Sequence, residues 1–180
     1  MIDYARLGRS IEVYKQRGYV HIEVPWTVAE AVSNITKPAG ANDFKIANKS
    51  KVLVASAEQG FLYLALKGFL PPGKFQAITP CFRDEPFDVS HTKYFMKNEL
   101  IITDEPSEDM VKSIVVDAME YFRTEHPAGE FNLVTTEAGY DIELNGIEIG
   151  SYGLRKTSFL TWVYGTGLAE PRFTIAKRAT

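Results

Sequence analysis

Cysteine and long apolar runs are almost absent from this sequence of 180 residues. Cys81 is the single cysteine, which excludes an internal disulfide and a cysteine-rich zinc site. No stretch approaches the roughly 18 consecutive apolar residues of a membrane span. The opening residues MIDYARLGRSIEVYK also lack a long apolar run. We therefore expect a cytoplasmic protein with no membrane partner.

An excess of basic residues is missing as well. The formal net charge is -3, which argues against a dedicated nucleic-acid-binding module, because such modules usually carry a basic surface. Hydrophobic residues make up 45% of the chain, enough to bury a core at this length. Neither an internal repeat nor a low-complexity linker interrupts the sequence. We therefore expect one domain over residues 1–180.

Hydrophobic periodicity and turn residues predict an α+β fold with a mostly antiparallel sheet. Helices are predicted at 4–17, 59–69 and 107–123, with further helices beginning near Thr157 and after Pro171. Strands are predicted at 19–24, 52–55, 75–82 and 93–102. Asn145-Gly146 predicts a tight hairpin over 141–150, and residues 37–50 indicate a mobile loop.

Arg83 and Phe95 form the first candidate constellation. Arg83 lies at the predicted end of a strand, in the segment Cys81-Phe82-Arg83-Asp84-Glu85. Its guanidinium is a planar, permanently charged set of donors that suits phosphate oxygens. Phe95, on the next predicted strand, offers a ring on which a purine can stack. Taken alone, Arg83 and Glu85 also fit an exposed ion pair, and Phe95 also fits the core.

The predicted hairpin provides a second constellation. Asp141 and Glu148 lie on its two strands, where their carboxylates can converge on a hard cation that carries the phosphates of ATP. The alternative is that both carboxylates solvate an exposed face of the sheet. Arg155 follows seven residues after Glu148, and it can pair with these carboxylates or bind a carboxylate or amide oxygen of a substrate.

A glycine pair precedes the predicted C-terminal helix in Gly165-Thr166-Gly167-Leu168-Ala169-Glu170-Pro171-Arg172. Glycines before a helix allow a ligand to approach the backbone closely, and the start of a helix favours anions. A simple turn explains the pair equally well when the pair is considered alone.

Taken in order, these segments resemble the three signature motifs of the class II aminoacyl-tRNA synthetases. The helix leading into residues 18–25 is similar to motif 1, whose proline, here Pro25, lies at a homodimer interface. Phe82-Arg83-Asp84-Glu85 with Phe95 and Glu99 is similar to motif 2, and Gly165, Gly167 and Arg172 are similar to motif 3. The resemblance implies that Arg83 binds the α-phosphate of ATP and Arg172 the γ-phosphate, that Phe95 stacks on adenine, and that Glu85, His91 and Glu148 complete the ATP site.

The likeness is closest to the aspartyl and asparaginyl branch. Residues 35–44 resemble the loop that closes over the substrate, and residues 140–150 resemble the metal-binding hairpin, with Asp141 and Glu148 at the positions that hold Mg²⁺. Arg155 falls where this branch reads a side-chain oxygen of the substrate, which favours an Asp- or Asn-like amino acid. Ser56, Gln59 and Glu99 are the other implied substrate contacts. The implied fold is a six-stranded antiparallel sheet flanked by helices.

Several positions depart from the pattern of the branch. Ala39 replaces a glutamate of the closing loop, and Leu62 replaces a lysine that binds the substrate carboxylate. His91 stands where an arginine is common, and Tyr94 replaces the glutamate before the stacking phenylalanine. Ala169 and Pro171 replace a glycine and an acidic residue of motif 3. The amino-acid site is therefore more altered than the ATP site.

These features predict a ligase that uses ATP, with Mg²⁺, to form an aminoacyl-adenylate and pyrophosphate. The acceptor in the second step is open: tRNA, ammonia, a carrier protein or a metabolite. The chain starts almost at motif 1, without an anticodon-binding barrel, so unaided charging of tRNA is less expected. Two alternatives stay open: a non-catalytic relative that binds a nucleotide or an amino acid and regulates a partner, and a core that acts on tRNA together with a separate chain.

Overall fold

The computed structural model describes residues 1–84 and 93–179. Its helices are α1 (Tyr4–Gln16), α2 (Glu30–Ser33), α3 (Ala57–Leu66), α4 (Glu108–Glu125) and α5 (Arg172–Ala176). Its strands are β1 (Val20–His21), β2 (Thr27–Ala29), β3 (Lys51–Leu53), β4 (Lys74–Phe82), β5 (Tyr94–Ile102), β6 (Phe131–Thr136), β7 (Gly139–Leu144), β8 (Ile147–Lys156) and β9 (Thr161–Glu170).

The main sheet has the strand order β1-β4-β5-β9-β8-β7-β6. Strands β4 to β9 form an antiparallel sheet of six strands. The short β1 adds a seventh strand, which pairs in parallel with β4. The predicted α+β fold with a six-stranded antiparallel sheet is therefore confirmed. Strands β2 and β3 pair separately. Within the described ranges, no helix is long and apolar enough to cross a membrane.

Apolar side chains cover the sheet from both sides. Helices α1 and α4 pack on one face, where α4 buries the periodic residues Val111, Ile114, Val115, Ala118 and Phe122. On the other face, α3 packs against β4 and β5 and is contacted by β2, in a second apolar cluster that includes Val54, Phe61, Leu62, Ala77 and Trp162. The rest of this second face, over β5, β8 and β9, carries polar side chains, and the candidate site lies there.

The hairpin turn between β7 and β8 is confirmed. Asn145 and Gly146 both adopt positive φ values, 51° and 76°, as a type I′ turn requires. The Asn145 side chain also donates from Nδ2 to the carbonyl oxygen of Ala176 at 2.9 Å. The turn is thereby attached to α5.

The prediction of a helix that begins near Thr157 is wrong. The Thr157 backbone N–H donates to the Leu160 carbonyl oxygen in a tight turn, and residues 161–170 form β9 in the middle of the sheet. Gly165 and Gly167 lie within this strand because aromatic rings pack against them: a Cβ atom would lie 2.6 Å from Tyr152 at Gly165 and 2.9 Å from Tyr14 at Gly167.

The other differences between the predicted and the observed secondary structure concern elements that are short or exposed. The predicted strand over 19–24 is reduced to the two residues of β1, and the strand over 52–55 is shifted to β3. Strands β2 and β6 and helix α2 were not predicted. Most side chains of β6 are exposed at the edge of the sheet, so the sequence there carries little alternation.

Candidate active site

A cavity of about 300 Å³ opens on the second face of the sheet. The segment over residues 36–43, the start of α3, the end of β4 and the middle of β5, β8 and β9 form its walls. Its lining residues that carry polar or charged side chains are Thr36, Lys37, Asn42, Asp43, Ser56, Glu58, Gln59, Arg83, Asp84, Lys97, Glu99, Glu148, Ser151, Arg155 and Tyr164. Most of the predicted site residues therefore meet in one place.

Arg83 and Phe95 are adjacent at one end of the cavity. The backbone N–H of Arg83 donates to the Lys93 carbonyl oxygen at 3.1 Å, beyond the last pair of the β4–β5 ladder. The Arg83 guanidinium carbon lies 5.0 Å from the centroid of the Phe95 ring. A charged donor and an aromatic face are thus presented together, as a purine nucleotide requires. Glu85 and His91 lie outside the described residues.

Arg172 and Glu148 form an ion pair, with Nη1 and Oε1 separated by 3.2 Å. Arg172 is the first residue of α5, and Glu148 enters the cavity from β8. Asp141 lies opposite Ser151 in the β7–β8 ladder and is not among the lining residues. Across residues 1–84 and 93–179, no cluster of three or more His, Cys, Asp or Glu side chains forms a metal site of its own. A half-exposed carboxylate such as Glu148 suits Mg²⁺ that is held largely by phosphate oxygens.

Glu99 is buried on β5 and is surrounded by donors. Its Oε2 accepts hydrogen bonds from Ser56 Oγ at 2.5 Å and from the Glu58 backbone N–H at 3.3 Å. Its Oε1 lies 2.9 Å from Lys97 Nζ. Burial acts to raise the pKa of Glu99, but the charge of Lys97 and these hydrogen bonds outweigh burial and hold it below the ordinary value. Glu99 is therefore a carboxylate at neutral pH.

Glu58 and Arg155 form the wall of the cavity opposite Arg83 and Phe95. Glu58 Oε2 lies 2.5 Å from Arg155 Nη1, and Oε1 accepts from the indole N–H of Trp162 at 2.6 Å. The Arg155 guanidinium carbon also lies 4.2 Å from the centroid of the Tyr164 ring. Burial raises the pKa of Glu58, while the charge of Arg155 opposes this increase. Arg155 thus reaches the cavity already paired with an acid.

Gln59 lines the cavity but is almost fully buried. Its Oε1 accepts from the Ala55 backbone N–H at 2.8 Å, and its Nε2 donates to Ser33 Oγ at 2.9 Å. Ser33 in turn donates to Asp43, which also pairs with Lys37. The predicted substrate contact therefore holds α3 against the segment over residues 33–43. Among the departures noted in the sequence, Ala39 is exposed and Leu62 lies in the apolar core.

Glu58 and Lys97 are charged residues of the cavity that sequence reasoning did not assign to the site. A signal for Lys97 was present: Phe95, Lys97 and Glu99 alternate along one strand, so period two places all three on one face. No comparable signal existed for Glu58. Its partners Arg155 and Trp162 lie about 100 residues away in the sequence, at separations of 97 and 104.

A family model described as tRNA synthetases class II (D, K and N) matches residues 9–131, which is more than half of the chain. The matched segment includes most of α1, and the whole of α3, β4 and β5. No curated protein sequence matches the chain.

Solved structures share the fold at low sequence identity. A pyrrolysyl-tRNA synthetase from Desulfitobacterium hafniense superposes with a TM-score of 0.76 at 16% identity, over 98% of this chain and 70% of its own. A second structure of that enzyme gives 0.76 at 17%, over 99% and 68%. The seryl-tRNA synthetase from Pyrococcus horikoshii, complexed with ATP, gives 0.79 at 18%, over 96% of this chain and 49% of its own. At these identities the likeness concerns the fold.

Proposed function

Because the chain belongs to the class II tRNA synthetases of the D, K and N group, we propose that it activates the carboxylate of an amino acid with ATP. The product is an aminoacyl-adenylate, formed in one catalytic domain over residues 1–180. The observation that carries this proposal is the composition of a single cavity. Arg83 beside Phe95 suits a nucleotide at one end, and the charges of the buried Glu99 and the partly exposed Arg155 suit an amino acid at the other.

The proposed step needs no nucleophile or base from the protein. An oxygen of the substrate carboxylate, already ionised, bonds to the α-phosphorus of ATP, and the bond to pyrophosphate breaks. Arg83 and Arg172 stabilise the negative charge on the phosphate oxygens, and the remaining residues position the two substrates. Mg²⁺, when bound beside Glu148, with Asp141 in the adjacent strand, would neutralise further phosphate charge. The acceptor of the acyl group is tRNA, ammonia, a carrier protein or a metabolite.

Within the proposed Asp- or Asn-like class, the Glu58–Arg155 pair favours a neutral carboxamide. Arg155 retains N–H groups that can donate to a side-chain oxygen, and each oxygen of Glu58 retains a lone pair for a side-chain N–H. A carboxylate at the same place would face the negative charge of Glu58. Asparagine therefore matches the wall better than aspartate does.

Amino-acid-dependent exchange of labelled pyrophosphate into ATP tests the proposal. We expect exchange with one member of a panel of twenty amino acids and common analogues, and with asparagine before aspartate. The burial of Leu62, which leaves α3 without a cation in the cavity, favours the alternative of a non-catalytic binding protein. If no amino acid of the panel supports exchange while ATP still binds, the result contradicts the ligase proposal and favours the non-catalytic alternative.

A homodimer through the motif 1 region is part of the same proposal. Strand β1 is at the edge of the main sheet, and the apolar side chains of Val20 and Trp26 are each 56% exposed beside Pro25. Replacing Trp26 with glutamate places a charge in the proposed interface, so we expect the mass measured by light scattering at micromolar concentration to fall from that of two chains to that of one. A wild-type protein that already scatters as a monomer contradicts the proposed dimer.

A further inference from the structure

A second cavity, of about 350 Å³, lies beside the candidate active site at the end of β7. Residues 135–140 line it, together with Glu108 at the start of α4 and with Leu154, Arg155 and Tyr164. Leu154 packs with the apolar cluster on the α4 face of the sheet, whereas Tyr164 belongs to the cluster on the α3 face. A cavity that is lined from both faces lies in the plane of the sheet.

The sheet is interrupted there because β7 is shorter than β8. The chain turns between β6 and β7 at residues 137–138, so the ladder between β7 and β8 ends at the pair Gly139–Gly153. Strand β8 continues for three more residues, to Lys156, and among the described residues this extension pairs with β9 alone. We call the second cavity, together with residues 154–156, the notch.

The backbone of β8 presents an open edge to the notch. The Thr157 N–H donates to the Leu160 carbonyl oxygen at 2.8 Å, so the backbone groups of Thr157 point towards β9. Successive residues of an antiparallel strand direct their backbone groups to opposite sides. Because the register with β9 is unbroken up to Lys156, Arg155 also faces β9, whereas Leu154 and Lys156 face the notch. An edge of this kind accepts an added strand.

The charge of the notch favours a basic ligand. Glu108 and Glu137 are exposed and line the notch. The cation among the lining residues, Arg155, is already paired with Glu58. A lysine or arginine side chain that enters the notch therefore meets two carboxylates without a compensating free cation in the lining.

We propose that the notch binds an extended basic peptide of a partner protein, which adds a short strand antiparallel to β8 and in line with β7. Cross-strand neighbours direct their side chains to the same face. The peptide residue opposite Leu154 thus lies on the α4 face, where a basic side chain meets Glu108. The residues on either side of it direct neutral side chains towards Tyr164 on the other face. Backbone hydrogen bonds provide affinity, and the alternating side chains provide specificity.

The peptide acetyl-Val-Lys-Val-Lys-Val-amide, titrated to millimolar concentration into the isotope-labelled full chain, tests this inference. The measured quantities are the NMR amide resonances of Leu154 and Lys156, whose N–H groups face the notch. We expect both resonances to shift saturably with the basic peptide, and to shift less with acetyl-Val-Glu-Val-Glu-Val-amide. If the basic peptide moves neither resonance, the inference is wrong.

Methylation of the peptide backbone tests the strand pairing itself. In the proposed register the N–H groups of the two lysines face β8, and those of the valines face away. Methyl groups on the two lysine nitrogens should weaken binding on the order of 10- to 100-fold, as for loss of two backbone hydrogen bonds. Methyl groups on the valine nitrogens should leave the affinity within about threefold, because those nitrogens make no bond to β8. Equal losses contradict strand addition.

Variants of the protein provide the complementary test. Leu154→Pro removes the N–H that faces the notch and spares the ladder with β9, whereas Leu154→Ala keeps that N–H and serves as the matched control. We expect the proline variant to bind the basic peptide roughly 5- to 10-fold more weakly than the alanine variant does.

Reversal of the charge tests the proposed basic character even if Leu154→Pro does not fold. The double variant Glu108→Lys/Glu137→Lys changes two exposed side chains, and it should prefer the acidic peptide to the basic one. An unchanged preference overturns the proposal. These titrations need neither ATP nor an amino acid, so their outcome is independent of whether the protein catalyses pyrophosphate exchange.

Discussion

Replacement of Arg83 with alanine is expected to lower kcat/KM for pyrophosphate exchange by about 10³-fold, or about 4 kcal/mol of transition-state stabilisation. The guanidinium lines one end of the cavity, beside the Phe95 ring. In the proposed reaction, negative charge builds up on the α-phosphate as the carboxylate attacks, and a fixed guanidinium would stabilise that charge. We therefore expect the loss mainly in kcat, with a smaller change in the dissociation constant of ATP.

An arginine outside the cavity provides the matched control. Arg123 is exposed in the last turn of α4, so Arg123→Ala should exchange within about twofold of the wild-type protein. Equal losses in both variants would point to a general effect of charge rather than to the site. Exchange that survives in Arg83→Ala at the wild-type rate contradicts the role of Arg83 in the proposed ligase.

The elements that the sequence predicted well are those with a local physical cause. The periodic apolar face of α4 and the Asn145-Gly146 turn depend on neighbours in the sequence, and both are present in the structure. No local feature of the sequence predicts strand β9. Gly165 and Gly167 indicate a turn until the rings of Tyr152 and Tyr14 are seen to pack against them, and those rings come from distant parts of the chain.

The same distinction between local and distant causes applies to the residues of the site. Arg83, Phe95, Glu148, Arg155 and Arg172 were identified from the sequence, and the structure brings four of them to the cavity or to a residue that lines it, with Phe95 beside Arg83. The sequence did not predict which side chains of the site pair with one another. The acid that faces Arg155 is Glu58, and the amide of Gln59 is turned towards Ala55 and Ser33, because the start of α3 directs consecutive side chains to different surroundings.

Pairing also determines what the cavity can accept. The buried carboxylates of the cavity belong to pairs of opposite sign, Glu58 with Arg155 and Glu99 with Lys97, so neither carboxylate is an isolated charge. A ligand with a neutral side chain leaves the Glu58–Arg155 pair intact. A substrate with a charged side chain must disturb the Glu58–Arg155 pair, and the cost of unpairing a buried charge is then paid in affinity.

Replacement of Glu58 with glutamine is therefore expected to change substrate preference. Glutamine keeps an acceptor for Trp162 but removes the negative charge, so Arg155 becomes an unpaired cation in the cavity. We expect the ratio of kcat/KM for asparagine to that for aspartate to fall on the order of 100-fold, or about 2.7 kcal/mol. Exchange measured with both amino acids, at saturating ATP, gives this ratio directly.

A change of ratio separates recognition from stability, because partial unfolding of a variant lowers both activities together. Glu12→Gln on α1 removes an exposed carboxylate that pairs with Lys15, and it should leave the ratio unchanged. Arg155→Leu should lower exchange with both substrates, since it removes the donor that either side chain needs. If Glu58→Gln lowers asparagine and aspartate in equal proportion, Glu58 only holds Arg155 in place, and the preference for a carboxamide must be abandoned.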